Sequence, residues 1–119
     1  MKSMPQEIEV WYLIPGIRRK LAKFLVQDYK MNQKKVAKIL GMTESAVSQY
    51  LKNKRGSEMK FSRNDIELIR KSAYRIAEDK SESNKEIYDL CVKFRGSDSL
   101  CEFHRQHDST IDKDCKLCC

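Results

Sequence analysis

The sequence predicts an all-α protein, on three observations. Apolar residues recur at steps of three and four in five separate stretches between Ile17 and Phe94. Those stretches are bounded by residues that start or stop helices, among them Gly41, Thr43, Ser62 and Ser83. The last 22 residues, from Asp98, have no periodicity, yet they hold four of the five cysteines and both histidines.

The elements follow in order. Ile8, Val10, Trp11, Leu13 and Ile14 are too dense to be left in water. They predict a short lead-in helix that packs on the next one and is broken at Pro15-Gly16, with Trp11 as a core anchor. Pro15 or Gly16 then opens a helix of about 13 residues with Ile17, Leu21, Phe24 and Leu25 inward. Arg18, Arg19, Lys20 and Lys23 lie on its outer face, either solvated or turned toward phosphate. Val36, Ile39 and Leu40 give the next helix its stripe, and Ala37 is small where two helices must approach. Gly41 follows as a left-handed C-cap, and Thr43 is placed to cap the helix carrying Val47, Tyr50 and Leu51 inward.

Asn53 to Lys60 is polar and basic, with Gly56 as a breaker, and marks a boundary. Ser62-Arg-Asn-Asp65 is a capping box for a helix from about Arg63 to Lys80, striped by Ile66, Ile69, Ala73, Ile76 and Ala77. Its opposite face carries Glu67, Lys71, Arg75 and Glu78. The striped face can pack on the chain's own core or form a dimer contact. A second box, Ser83-Asn-Lys-Glu86, opens a helix striped by Ile87, Leu90, Cys91 and Phe94, which Gly96-Ser97 ends.

The pair of short helices around Gly41 has the pattern of a helix-turn-helix, the unit that sets a recognition helix in the DNA major groove. A plain helical hairpin explains Ala37 and Gly41. It does not explain the basic residues at both edges, Lys34, Lys35 and Lys38 before the turn and Lys52, Lys54 and Arg55 after it. Cations at those edges suit phosphates. Thr43, Glu44, Ser45, Ser48 and Gln49 have the polar side chains that hydrogen-bond base edges.

Charge supports this reading. The net charge is +7. From Arg18 to Lys60 there are 12 Lys/Arg and 3 Asp/Glu, a balance of +9, and from Phe61 to Cys119 there are 11 and 12, a balance of −1. Positive charge therefore belongs to the half that carries the helix pair. Met1-Lys2 is not followed by a long apolar core, and no apolar run approaches the ~20 residues of a membrane span. The expectation is a cytoplasmic protein with no membrane partner. With no nucleophile–base pair and no phosphate loop, no enzyme and no small-molecule substrate are expected.

In a reducing compartment, cysteines bind metal or sense redox state more readily than they form structural disulfides. Cys115-Lys-Leu-Cys118 is a C-x-x-C knuckle, and Cys101-Glu-Phe-His104 is a C-x-x-H. Cys91 lies on the apolar stripe at a helix end. Three readings compete: Cys91 as a core hydrophobe beside a loose tail, a zinc ion, or a [4Fe–4S] cluster. Zinc would take Cys101, His104, Cys115 and Cys118, with Cys91 able to replace His104. The cluster would take Cys91, Cys101, Cys115 and Cys118. His107 is off the knuckle spacing. Cys119 is a spare thiol or a substitute for Cys118.

Together these residues resemble a family of small archaeal Xre-type transcriptional regulators. The resemblance rests on Met4-Pro5 and Glu7 followed by Trp11 and Pro15, on Gln33 to Leu51 with Val47-Ser-Gln-Tyr-Leu51 and then Lys54-Arg-Gly56, and on the run of Cys91, Arg95, Cys101, His104, Cys115 and Cys118. The chain departs from the family where members often carry Cys at the position of Gln6 and a C-x-x-C at Tyr88 to Cys91. The resemblance implies a dimeric DNA-binding regulator, and it favours iron–sulfur over zinc because some members hold such centres. The expected architecture is thus a helix-turn-helix DNA-binding domain over 1–60, then a helical spacer or dimerisation region and a small cysteine-rich metal-binding tail over 61–119. The expected partners are double-stranded DNA and a second copy of the chain. The rival reading is a helix-turn-helix regulator, or a protein-binding adaptor, with a purely structural zinc site.

Overall fold

The structure, a computed structural model, describes residues 9–52 and 60–94. Met4, Pro5, Gln6, Glu7, Ile8, Lys54, Arg55, Gly56, Arg95, the Gly96-Ser97 stop, Cys101, His104, His107, Cys115, Cys118 and Cys119 lie outside the described residues. A turn of π-helix, Glu9–Leu13, leads into five α-helices: α1 (Ile14–Gln27), α2 (Gln33–Leu40), α3 (Glu44–Leu51), α4 (Arg63–Ala77) and α5 (Ser83–Phe94). The described residues contain no strand, and no helix among them is long and apolar enough to cross a membrane.

α1 is the central helix. Leu13, Ile17, Leu21 and Leu25 recur at four-residue steps and are wholly buried. Each such side chain contributes about 1.5–3 kcal/mol by leaving water. α1 packs on α2, α3, α4 and α5. Pro15 does not break the lead-in. It falls in the first turn of α1, where a missing N–H costs nothing, so the π turn runs straight into the helix. Trp11 is not the expected core anchor: it is 57% exposed. Leu13 takes the inward position of that turn, and a residue two places earlier points to roughly the opposite side.

The local signals around α2 and α3 appear as geometry. Gly41 has φ +66°, and the amide of Met42 donates to the carbonyl of Ala37 at 2.9 Å, closing α2 in a Schellman turn. Asn32, not among the caps expected from sequence, holds the other end, its Oδ1 accepting from the Lys35 amide at 2.8 Å. Thr43 Oγ1 accepts from the Ala46 amide at 3.0 Å and caps α3. α2 and α3 are thus joined by the three residues Gly41–Thr43.

α4 opens with the expected box. The Ser62 hydroxyl accepts from the Asp65 amide at 3.1 Å, and the Asp65 carboxylate accepts from the Ser62 amide at 3.2 Å. The helix stops at Ala77, short of Lys80, because Asp79 turns left-handed (φ +57°) and the Lys80 amide folds back to the Arg75 carbonyl. Ile69, Ala73 and Ile76 are buried in one core with Leu13, Ile17, Val36, Val47, Leu90 and Phe94. Most of that stripe therefore packs on the chain's own core, while Ile66 at its start is half-buried and outside that core.

The second capping box does not form as expected. Ser83 is already inside α5, and its hydroxyl donates to the Ile39 carbonyl at 2.9 Å. That carbonyl is among the last four of α2, which have no partner within their own helix. Glu86 turns inward to Arg75 instead of back to the helix start.

Candidate nucleic-acid interface

The face of α3 opposite Val47 and Tyr50 is set by helical spacing. Glu44 and Ser45 are exposed, Ser48 and Gln49 are half-buried, and Lys52 is exposed at the C-cap. Val47 and Tyr50 are buried and hold this helix on α1 and α2. Thr43 is exposed, and its oxygen accepts the capping bond with one lone pair, which leaves the second lone pair and the hydroxyl proton for a further partner. Glu44 lies in the first turn, where a carboxylate also offsets the positive end of the helix dipole.

On α2, Lys34, Lys35 and Lys38 are exposed, and with Asn32 and Ile39 they line one shallow depression. Lys34, Lys35, Lys38 and Lys52 have no acidic partner among the described residues. α1 carries four more cations and no carboxylate over its 14 residues. Burial holds the Lys20 ammonium below the ordinary lysine value, and repulsion from Arg19 and Lys23 lowers it further. Lys23 is lowered by burial and by Arg19. These shifts describe cations crowded together.

The structure brings Lys34, Lys35 and Lys38 together on α2, and Glu44, Ser45, Ser48, Gln49 and Lys52 along α3. Lys54 and Arg55 lie outside the described residues. Of the candidate metal ligands only Cys91 is described. It lies in the last turn of α5, 5% exposed, between buried Leu90 and Phe94. No group of three or more His, Cys, Asp or Glu that could hold a metal occurs among the described residues.

Sequence reasoning missed the pair between Arg75 and Glu86. Arg75 Nε and Nη2 lie 2.8 and 2.6 Å from the same Glu86 oxygen, and Nη2 also donates to the Ser72 hydroxyl at 3.2 Å. Burial pushes the Glu86 carboxyl up, but the hydrogen bond from Arg75 and the charge of that guanidinium outweigh it. The net pKa is below the ordinary glutamate value. Periodicity alone places Arg75 on the solvent face and gives no sign of this partner. Comparison with family models, with curated proteins and with solved structures finds no match.

Proposed function

We propose that the chain is a sequence-specific, DNA-binding regulator of transcription, and that α2 and α3 are its helix-turn-helix. The observation that carries this reading is the outer surface of the helix pair. A short helix with polar and amide side chains outward is held by its Thr43 cap and the Gly41 turn. It stands next to lysines that no carboxylate neutralises among the described residues. In this reading Thr43, Glu44, Ser45, Ser48 and Gln49 face bases. Lys34, Lys35, Lys38, Lys52, Lys54 and Arg55 hold phosphates, and a homodimer spans two half-sites about 34 Å apart. The test uses duplexes selected by the protein from a random pool. Gln49→Ala is expected to cost ~1–3 kcal/mol on the selected duplex and little on unselected DNA. Equal losses on both would remove Gln49 from base readout.

Cys91, Cys101, Cys115 and Cys118 are proposed to hold a [4Fe–4S] cluster, with zinc on Cys101, His104, Cys115 and Cys118 as the other reading. Cys91 fits such a centre in donor chemistry: a soft thiol, shielded from water, in the last turn of α5. When bound, a cluster supplies one-electron redox chemistry, and this chain's part is to supply thiolates and exclude water. Cys91→Ala is expected to abolish iron binding while His104→Ala leaves it intact. In the zinc site the two variants exchange behaviour. Metal analysis of both decides, and full metal in both contradicts the ligand set.

A further inference from the structure

A groove of about 990 Å³ lies where the C-terminal ends of α2 and α4 meet the N-terminal end of α5. Its size is that of a small-molecule site. Met31, Ile39, Leu40, Ile76 and Ala77 give it an apolar lining, and Gly41 and the run from Asp79 to Asn84 form its rim, with Arg18 of α1 and Lys35 of α2. The groove is separate from the outer face of α3 and shares only Lys35 with the proposed phosphate contacts.

The groove carries charges of both signs. Arg18 and Lys35 have no carboxylate partner among the described residues, and Asp79 and Glu82 have no cationic one. Lys80, also on the rim, is engaged with Tyr74, its ammonium 5.1 Å from the ring centroid. Arg18 stands out further. Its Nε is closed off from water and has no hydrogen-bond acceptor among the described residues. That nitrogen is out of a ligand's reach, but the Arg18 side chain as a whole is only partly buried, and a carboxylate in the groove would meet its accessible part in a charge-assisted contact. The helix ends add fixed dipoles. The C-terminal ends of α2 and α4 favour a cation, and the N-terminal end of α5 favours an anion.

We propose that this groove binds a small zwitterion, a molecule with a carboxylate and an ammonium on a short carbon frame, as in a free amino acid. The ligand carboxylate pairs with Arg18 and Lys35, its ammonium with Asp79 or Glu82, and its carbon frame rests on the apolar lining. A zwitterion meets charges of both signs at one site, whereas a simple anion or cation meets only one sign. Ligation here would bridge the end of α2 to the turn between α4 and α5, which the Ser83 bond to Ile39 already ties together.

The test is an amide-resonance titration of the full chain with each of the twenty common amino acids, with acetate and methylamine as one-charge controls. The expected result is a saturable shift at Gly41 and at residues 79–84 with one or a few amino acids and not with either control. Arg18→Met, which keeps the apolar stem, should weaken that binding roughly tenfold or more. Should Arg18→Met fail to fold, Lys35→Gln and Glu82→Gln carry the same test from exposed positions, each expected to weaken binding several-fold. No saturable shift with any amino acid would overturn the proposal. So would a shift that acetate reproduces, or one untouched by loss of these charges.

Discussion

Two backbone positions show how single residues set this fold. Gly41 and Lys30 both adopt left-handed φ, at +66° and +54°. An added Cβ at Gly41 would meet nothing within 4 Å, so the need for glycine there is conformational and not steric crowding. Gly41→Ala is therefore expected to cost about 1 kcal/mol in urea denaturation, with no loss of packing. Lys30 bears the same strain with a side chain, at the turn where the Met31 amide donates to the Leu25 carbonyl. Lys30→Gly is expected to stabilise by up to about 1 kcal/mol in the same measurement. A destabilised Lys30→Gly variant would show that the lysine makes a contact worth more than its strain.

At the scale of elements, α4 and α5 are joined by one unequal ion pair. The Glu86 side chain is 3% exposed and that of Arg75 39%. Removing the arginine strands a buried carboxylate, whereas removing the glutamate leaves a cation that water can reach. Arg75→Ala is expected to cost about 3 kcal/mol at pH 7, and Glu86→Ala about half as much. The pH dependence has a definite sign. In the wild type the Glu86 pKa is lowered on folding, so its stabilisation is complete above the ordinary glutamate range and is lost as pH falls through the folded value. In Arg75→Ala, burial is the remaining large effect and raises that pKa, so the variant's deficit should shrink on acidification. Denaturation curves at pH 7 and pH 4.5 check both, and a deficit that grows in acid would contradict the assignment. This pair also marks where the sequence stops being legible. The Gly41 turn, the Thr43 cap and the Ser62 box can be read because their partners lie within five residues. Ser83 and Glu86 carry the same box pattern, yet their partners are Ile39 and Arg75, 44 and 11 residues away. Local spacing holds no record of such partners. Trp11 fails for a related reason: hydrophobicity predicts burial, but Leu13 holds the inward register. The cysteine tail's chemistry is readable as ligand spacing, while its ligands other than Cys91 lie outside the described residues.

Across the whole molecule, one apolar core ties Leu13 at the start of α1 to Phe94 at the end of α5. The α3 surface is therefore carried on a single packed body, and the Ile69 face is taken up inside it. Among the described large hydrophobics, the exposed ones are Trp11, Tyr74, Tyr88 and Val92. Tyr88 and Val92 are one helical turn apart on α5, so a dimer of the proposed kind has an apolar pair there to use. The charge asymmetry belongs to this same scale: in the proposed reading, the balance of +9 over residues 18–60 would draw a polyanion in before any base is read. The most direct test of the DNA-binding claim is the salt dependence of binding to duplex DNA, measured for the wild type and for Lys34→Gln/Lys35→Gln/Lys38→Gln. The account predicts wild-type affinity that falls steeply with salt. It also predicts a log–log slope shallower by about two to three units in the triple variant, roughly 0.9 for each phosphate that a lysine no longer neutralises. A folded triple variant with an unchanged slope, or a wild type that binds no duplex at low salt, would contradict it.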